Sequence, residues 1–536
     1  MTGARRLVGA LAAAGVRQLF TLSGNQILSV YDATIGRDIE LIHTRHEAAA
    51  VHMADAWGRL TEQPGVALVT AGPGMLNAVS ALYTARMADS PVVLMAGASP
   101  RGQRGRGAFQ EVDQVAVARP VVKAGWSIED PARAGDDVAR ALALAASGRP
   151  GPVYLSLPGD VLEGAAPDAD GASSTAGGER VLPALGERDA LAVVALLAEA
   201  KRPLILTGPA MGRGARWAAV ERLASAVGAP ALPIESPRGV NDPWLRGATR
   251  LLGEADVVLL LGKPLDYSLR FGEAFARGAR VIALDLDAVA DARGITLSLT
   301  GDPAPAAERL AAVAATRARP VTAWRDEVEA ARRATPPTWE ALRRADGAPI
   351  HPLRVCDALA PHVAAGALLI TDGGEFGQWV QAGLAPRERI INGLSGSIGS
   401  ALPMAIGAKR AQPDRPVIAA MGDGTFGFHA FELDTAVRHG LPIVVVIGND
   451  ARWNAEHTLQ LRTYGAERTV GCELLPSRYD QLAAALGCHG ELVQRPDELA
   501  PALARALGAG RPACVNVLID GQPAPTFGGG GTRGQA

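Results

Sequence analysis

The sequence predicts an α/β protein built from three doubly wound domains with parallel sheets. Three observations predict this fold class. The chain has 536 residues, which exceeds one ordinary domain. Short, fully apolar runs such as GVALVT (65–70) and VVLLLG (257–262) are typical of parallel strands covered on both faces. Longer segments with helical spacing, such as 46–60, lie between these runs.

Two stretches without a periodic pattern divide the chain. Residues 163–182 are rich in Ala, Gly, Ser and Asp, and residues 318–350 are charged and end in a Pro-containing turn. We therefore expect a first domain over 1–165, a central domain over 183–320 and a last domain over 350–536. The glycine-rich end, 528–536, is expected to be flexible.

The composition excludes several classes of protein. The formal net charge is -2 and no block of like charge occurs, which argues against nucleic acid and anionic membranes as partners. No apolar run is long enough to cross a bilayer, and the first segment is predicted to be an amphipathic helix rather than a signal peptide. The four cysteines lack metal-ligand spacing, so we expect reduced thiols in a cytoplasmic protein.

Two polar clusters follow consecutive apolar runs in the last third. Gly-Asp-Gly (422–424) follows PVIAAM, and Asn449 lies 26 residues after Asp423. If the two strands are neighbours, their tips meet at one edge of the sheet. Asp423, the Asn449 side chain and the Ala451 carbonyl would give Mg²⁺ three oxygen ligands, and a diphosphate two more. The glycines and the next helix would face the phosphates, although a simple turn is the alternative for Gly-Asp-Gly.

This pattern resembles the diphosphate-binding motif of the thiamine-diphosphate enzymes. The asparagine pair of that family reads Gly448-Asn449 here, and Asn449 keeps the position that coordinates the metal. The resemblance implies thiamine diphosphate and Mg²⁺ as cofactors. It implies cofactor contacts for Gly422, Asp423, Gly424, Thr425, Asn449 and Ala451, with Asp423, Asn449 and Ala451 as the metal ligands.

Two upstream segments, 371–376 and 394–399, resemble the family segments that hold the rest of the cofactor. The resemblance implies contacts from Gly374, Glu375, Phe376 and Gly396. Ile398 matches the bulky apolar residue that supports the bent shape of the cofactor; a core isoleucine beside a glycine turn is the alternative.

The stretch 39–82 resembles the pyrimidine-binding domain of the acetolactate-synthase-like branch. Glu47 falls at a strand-to-helix junction, where the family has a glutamate that hydrogen-bonds N1′ of the aminopyrimidine and favours the imino tautomer at the 4′ nitrogen. Pairing with the helix dipole is the alternative for this carboxylate. Cofactor contacts are also implied for Gly24, Gly72, Pro73 and Asn77.

The resemblance also extends to the substrate side. Gln110 matches a family glutamine that reaches the reacting carbonyl, and a surface glutamine is its alternative. Substrate contacts are expected from Gln26, Phe109, Lys123 and Trp453. Benzaldehyde-lyase-like proteins carry a histidine where Gln26 stands, which weakens the transfer of their substrate to this chain.

The central third resembles the modified Rossmann-like domain of the family. Its segment LLLGKPLDYSLRFG is more similar to 2-hydroxyacyl-CoA and oxalyl-CoA enzymes than to FAD-binding acetolactate synthases. We therefore expect no tightly held FAD, and ADP or CoA remains open. In the family the cofactor lies between the first domain of one subunit and the last domain of another, which implies a homodimer or homotetramer.

The resemblance implies a lyase or carboligase that makes or breaks a carbon–carbon bond beside a carbonyl group. We expect acyl-carbanion transfer from a 2-oxo acid, with 2-hydroxyacyl-CoA or acyloin cleavage as alternatives. A non-catalytic cofactor-binding protein is the alternative of another class. An NAD-dependent oxidoreductase ranks far lower, because no G-x-G-x-x-G fingerprint follows a strand with an acidic residue in the right place.

Overall fold

The computed structural model describes residues 1–167, 184–287, 294–316, 323–386 and 388–527. These residues form three all-parallel sheets with helices packed on them, which confirms the predicted fold class. Most of the first predicted linker and the predicted flexible end, 528–536, lie outside the described residues. Among the helices described, none combines the length and apolarity needed to cross a membrane.

The first sheet contains β1 (Gln18–Thr21), β2 (Glu40–His43), β3 (Gly65–Val69), β4 (Val92–Ala98), β5 (Ala124–Ser127) and β6 (Val153–Pro158). Its strand order is β2-β1-β3-β4-β6-β5. The helices of this part are α1 (Gly3–Ala13), α2 (Leu28–Thr34), α3 (Glu47–Thr61), α4 (Pro73–Met87), α5 (Gln114–Ala118), α6 (Ala134–Ala146) and α7 (Gly159–Glu163).

The central sheet contains β7 (Pro203–Thr207), β8 (Ala231–Pro233), β9 (Val257–Leu261), β10 (Arg280–Asp285) and β11 (Leu297–Thr300). Its order is β11-β10-β9-β7-β8. The helices here are α8 (Glu187–Glu199), α9 (Gly214–Val227), α10 (Ala248–Leu252), α11 (Pro303–Ala315), α12 (Trp324–Arg333) and α13 (Trp339–Arg343). The second predicted linker thus holds two helices, and α12 is anchored by a 2.9 Å hydrogen bond from Trp324 Nε1 to the Pro203 carbonyl.

The last sheet contains β12 (Leu368–Thr371), β13 (Arg389–Ile391), β14 (Val417–Gly422), β15 (Val444–Asn449), β16 (His489–Val493) and β17 (Ala513–Leu518). Its order is β13-β12-β14-β15-β17-β16. The helices are α14 (Pro352–Ala364), α15 (Gly374–Leu384), α16 (Ala401–Ala411), α17 (Asp423–Gly427), α18 (Glu432–Arg438), α19 (Asn454–Tyr464), α20 (Tyr479–Ala485) and α21 (Leu499–Gly508).

The first and last sheets share one hydrophobic core within the chain. Helix α3 packs on α16, and their buried side chains, such as Met53 and Ile406, belong to the same cluster. The helices approach so closely that a Cβ atom at Gly407 would collide with the Met53 carbonyl. This packing fixes the two polar strand edges of one chain relative to each other.

Candidate active site

The tips of β14 and β15 bring the predicted metal ligands together. Gly422 and Gly448 are opposite each other in the sheet register, so Asp423 and Asn449 leave neighbouring strands at the same edge. Both side chains are buried. Nδ2 of Asn449 donates to the carbonyl of Ser477 and to Oδ1 of Asn516, each at 3.1 Å. These bonds leave Oδ1 as the acceptor atom on the side of residue 451, whose N–H donates to it at 3.2 Å.

Asp423 has the chemistry expected of a cation ligand. Its Oδ2 atom is buried and has no hydrogen-bond partner. Burial raises the pKa of Asp423 to about 6, although hydrogen bonds from several backbone N–H groups act in the opposite direction. The pKa of the adjacent Asp450 is raised to about 7 by its burial and by the charge of Asp423. Asp423 is buried and Asp450 is partly buried, and a divalent cation would stabilise both groups as carboxylates.

The third predicted ligand is the carbonyl of Ala451. It accepts a hydrogen bond of 2.7 Å from the backbone N–H of Leu474, and a carbonyl oxygen retains a second lone pair. In the described residues no group of three or more His, Cys, Asp or Glu side chains could hold a metal ion. A cation at this edge would therefore depend on the amide and backbone oxygens as well as on Asp423, which suits Mg²⁺.

A small cavity of about 60 Å³ opens beside these strand tips. It brings together nine of the predicted residues, namely Gly374, Glu375, Phe376, Ile398, Gly422, Asp423, Gly424, Thr425 and Trp453. Gly396, Asn449 and Ala451 are not among its lining residues. The cavity thus unites the starts of α15 and α17 with the loop after β15, the arrangement expected of an anion cradle.

Two aromatic rings explain glycines at the cavity. A Cβ atom at Gly424 would lie 2.7 Å from the ring of Trp453, and a Cβ atom at Gly448 would collide with the ring of Phe376. The Phe376 ring therefore accounts for the glycine that replaces the first asparagine of the family pair. Sequence reasoning missed this contact, because the two positions are 72 residues apart.

Asp372 supports the backbone beside the cavity, and sequence reasoning did not assign it a role. It is fully buried and accepts hydrogen bonds from the backbone N–H groups of Gly373 (2.7 Å) and Ala401 (3.0 Å). It therefore ties the turn after β12 to the start of α16 and holds the intervening Ile398 close to Gly373. The Thr-Asp-Gly-Gly sequence was the available signal.

The helix that the sequence predicts over 428–440 is shorter in the structure, and a separate short helix precedes it. Helix α17 ends at Gly427, and α18 starts at Glu432. Glu432 reaches back to the first domain, where its Oε1 atom accepts a 3.0 Å hydrogen bond from the backbone N–H of Arg45. The break therefore places a buried carboxylate against the turn that leads into Glu47.

Glu47 is the first residue of α3 and is mostly buried. Its Oε2 atom accepts a 3.0 Å hydrogen bond from Nδ2 of Asn77. The glycine turn before α4 passes close by, since a Cβ atom at Gly74 would lie 3.3 Å from Oε1 of Glu47. Gly72 adopts φ +55°, and Pro73 begins α4. The structure thus brings four predicted residues of the first domain together.

The predicted substrate residues divide into two groups. Gln26 and Gln110 are hydrogen-bonded at 2.7 Å near the same glycine turn, where Gly24 lies against Thr70. Phe109, beside Gln110, is 72% exposed.

Lys123 is placed differently. It precedes β5 at the amino end of that strand, and its Nζ atom donates to carbonyls at the end of α6, including that of Leu144 at 2.6 Å. The structure does not bring it to the strand edge that carries Gln26 and Gln110.

Within one chain, the residues around Glu47 do not line the cavity at Asp423. Neither Glu47 nor Asn77 is among its lining residues.

In the central sheet, Asp285 at the end of β10 accepts a 2.5 Å hydrogen bond from Arg149, which also donates to the Gly262 carbonyl at 2.9 Å. Arg149 therefore occupies the strand edge where a nucleotide ribose would be held.

Comparisons with known proteins place these features in context. The N-terminal TPP binding domain of thiamine pyrophosphate enzymes matches residues 1–117, and the C-terminal TPP binding domain matches residues 372–517. A probable acetolactate synthase of Mycobacterium bovis is 36% identical over 534 residues, which cover 97% of this chain and 96% of the relative.

Two further similarities extend over the whole chain. The 2-hydroxyacyl-CoA lyase 2 of Bos taurus is 31% identical over 578 residues, which cover 96% of this chain and 90% of the relative. A thiamine diphosphate-dependent 4-hydroxybenzoylformate decarboxylase of Rhodococcus jostii RHA1 superposes with a TM-score of 0.80 at 22% identity, covering 97% of this chain and 99% of the other. This last similarity concerns the fold alone.

Proposed function

The chain belongs to the thiamine pyrophosphate enzyme family, and on that premise we propose that it uses thiamine diphosphate and Mg²⁺ to transfer an acyl carbanion from a 2-oxo acid to an acceptor. The observation that carries the proposal is the partnerless, buried Oδ2 atom of Asp423 beside Asn449 and the glycine-lined cavity. A Mg²⁺–diphosphate group would supply what this carboxylate lacks.

The residues of the last domain would hold the phosphate end. Asp423, Asn449 and the Ala451 carbonyl are the proposed metal ligands, and the backbone at Gly422, Gly424 and Thr425 is the proposed phosphate contact. Gly374 has φ +78° and open space beside it, so the backbone there can approach a ligand closely. Ile398 is the proposed support for the bent cofactor.

The first domain would supply the acid–base function. When bound, thiamine diphosphate provides a nucleophilic carbon and an electron sink for carbon–carbon bond chemistry. Glu47 would hold a proton between its carboxyl group and the aminopyrimidine ring, while Asn77 fixes the carboxyl orientation. Gln110 would donate a hydrogen bond to the reacting carbonyl oxygen, where charge develops.

Two copies of the chain are needed for this site. Because the Asp423 cavity lacks Glu47 and Asn77 within one chain, we propose that a second copy supplies them. The assembly is then a homodimer or a homotetramer. The exposed Phe428 and Phe431, which are 54% and 56% exposed beside α17, support burial in such an interface.

The central domain is proposed to hold no tightly bound FAD. The support is the Arg149–Asp285 ion pair, which fills the strand edge expected of a dinucleotide site. The second candidate function is cleavage of a 2-hydroxyacyl-CoA thioester, which the similarity to 2-hydroxyacyl-CoA lyase 2 favours. In that case ADP or CoA would bind elsewhere in the central domain.

The four free, buried cysteines support the cytoplasmic location that we propose.

The test is a product screen by mass spectrometry. The purified protein, with and without thiamine diphosphate and Mg²⁺, is incubated with single 2-oxo acids, pairs of them, acyloins and 2-hydroxyacyl-CoA thioesters. We expect a cofactor-dependent carboligation product from 2-oxo acids. Cleavage of the thioester or acyloin alone would establish the alternative function.

The variant Glu47→Gln distinguishes a catalytic protein from a protein that only binds the cofactor. This variant is expected to bind thiamine diphosphate and to lose turnover, whereas Glu467→Gln, at an exposed carboxylate, retains it. A wild-type protein that binds the cofactor and converts none of these substrates would favour a non-catalytic cofactor-binding protein.

A further inference from the structure

Three polar side chains of the first domain form a directed hydrogen-bond chain. The hydroxyl of Thr70 donates to Oε1 of Gln26 at 2.6 Å, and Nε2 of Gln26 donates to Oε1 of Gln110 at 2.7 Å. We call these residues the glutamine chain. It ends beside the turn at Gly72, close to the cluster of Glu47 and Asn77.

The backbone around the glutamine chain leaves little freedom. A Cβ atom at Gly97 would lie 2.7 Å from Cβ of Gln26, and one at Gly72 would lie 2.6 Å from the Gln110 carbonyl oxygen. The buried Gln114 connects both glycines, since it accepts from the Gly72 N–H at 2.8 Å and donates to the Gly97 carbonyl at 3.0 Å.

Gln110 has a strained backbone at this point. Its φ is +58°, in the left-handed region that side-chain-bearing residues rarely adopt. Such a conformation persists only where the surroundings enforce it, and it is concentrated at functional sites. The geometry therefore fixes both the backbone and the amide group of Gln110.

The direction of the bonds decides which end of the Gln110 amide faces a ligand. A glutamine amide has an acceptor oxygen and a donor NH₂ group. Thr70 occupies the oxygen of Gln26, so Gln26 turns its NH₂ group to Gln110. Gln26 then occupies the oxygen of Gln110, and the Gln110 NH₂ group is the part left to bind a substrate.

We propose that Thr70 and Gln26 are positioning residues that present Gln110 as a hydrogen-bond donor and so select substrates with a carbonyl or carboxylate oxygen at this point. The inference rests on the proposed function, because it places the reacting substrate beside Gln110. A preoriented donor stabilises negative charge that develops on such an oxygen. A glutamine pair does not titrate, so this selection is independent of pH.

A matched pair of carboxylate variants tests the direction of the bond without substrate or cofactor. In Gln110→Glu the new carboxylate still accepts from Gln26. In Gln26→Glu two acceptor oxygens face each other, so the bond is lost unless the Gln110 amide rotates and turns its NH₂ group away from the ligand. We therefore expect Gln26→Glu to melt about 2 °C or more below Gln110→Glu in the cofactor-free protein. Equal melting temperatures together with an unchanged kcat/KM in Gln26→Glu, or the reverse melting order, would overturn the proposal.

Turnover gives the second readout. Gln26→Glu should lower kcat/KM for the oxo substrate roughly 10- to 100-fold and leave the thiamine diphosphate affinity within about 3-fold of wild type. Thr70→Val should lower kcat/KM and Thr70→Ser, which keeps the hydroxyl, should restore it. The control is Gln63→Glu, which places the same charge at an exposed surface glutamine.

The two readouts separate the two hypotheses. Loss of cofactor affinity in Gln26→Glu, or unchanged kcat/KM, would refute the positioning role while the proposed function stands. A wild-type protein without turnover on any of these substrates would refute the proposed function, whereas a lower melting temperature of Gln26→Glu would still support the bond direction.

Discussion

The side chain of Asn77 donates a hydrogen bond of 3.0 Å to the carboxylate of Glu47. Glu47 begins α3, and Asn77 lies near the start of α4, so the bond connects two helices whose preceding strands, β2 and β3, lie on either side of β1. A neutral amide orients a carboxylate without adding or removing charge. The bond engages Oε2 and leaves Oε1 for the aminopyrimidine ring in the proposed site.

Asn77→Ala should therefore impair catalysis more than cofactor binding. We expect kcat to fall about 10-fold, the effect of one lost hydrogen bond, because the Glu47 carboxylate gains rotational freedom. The thiamine diphosphate affinity, measured by titration calorimetry, should stay within about 3-fold of wild type. Asn241→Ala, at an exposed asparagine, is the control. A wild-type kcat in Asn77→Ala would show that Glu47 needs no such partner.

Asp423→Asn should have opposite effects on the cofactor-free and the loaded protein. Burial raises the pKa of Asp423 to about 6, so the ionised side chain destabilises the cofactor-free fold above that pH. At pH 8 the variant should melt at a higher temperature than wild type without cofactor. With Mg²⁺ present it should bind thiamine diphosphate about 100-fold more weakly, because the charged metal ligand is gone.

The control for this prediction is Asp414→Asn at an exposed carboxylate, which should change neither the melting temperature nor the cofactor affinity. Retention of Mg²⁺-dependent binding in Asp423→Asn would place the metal elsewhere. The measurement combines differential scanning fluorimetry with calorimetric titration.

Glu432 predicts a pH dependence of stability. It is 1% exposed, and burial raises its pKa from 4.5 to about 7. Between these values the folded state binds more protons than the unfolded state, so wild-type stability falls as the pH rises from about 4.5 to 7. The shift corresponds to about 3 kcal/mol. Glu432→Gln should remove this part of the decline.

The measurement is the melting temperature of the cofactor-free wild type and of Glu432→Gln from pH 5 to pH 8. The difference between the two proteins at each pH reports the contribution of Glu432, because the other buried carboxyl groups are common to both. Glu467→Gln, at the protein surface, should parallel wild type throughout. Parallel curves for Glu432→Gln and wild type would mean that this carboxyl titrates normally in the fold.

Much of the fold could be predicted because its signal is local. Strands such as β9 and β15 are continuous apolar runs, and parallel strands buried on both faces require such runs. Asp423 and Asn449 could be placed together because the tips of adjacent parallel strands share an edge. These inferences needed only the order of residues along the chain.

The remaining features depend on contacts between distant segments. Helix α12 lies in a stretch that composition describes as a charged linker, yet Trp324 anchors it to the central sheet. The break between α17 and α18 precedes Glu432, whose carboxylate accepts a hydrogen bond from the first domain. No local sequence pattern indicates either of these contacts, so the sequence analysis predicted neither the helix nor the break.

Lys123 should contribute to stability and not to substrate binding. Its ammonium group donates to the carbonyls of Leu144 and Ser147, near the end of α6, where a positive charge is favourable. Lys123→Met should lower the melting temperature and leave KM within about 2-fold of wild type. A large rise in KM with unchanged stability would restore the role expected from the sequence.

The contact between Phe376 and Gly448 should behave as a reciprocal pair. A Cβ atom at position 448 would collide with the phenyl ring, so Gly448→Ala should destabilise the cofactor-free protein by about 1–3 kcal/mol. Combining it with Phe376→Ala should recover part of this loss, because alanine lacks the Cγ and Cδ atoms that the added Cβ atom would meet. Gly427→Ala, where nothing lies within 4 Å of the added Cβ atom, is the matched control and should be neutral. The measurement is the melting temperature of wild type, the two single variants, the double variant and the control. Additive effects of Gly448→Ala and Phe376→Ala would show that the ring is not what requires glycine at this position.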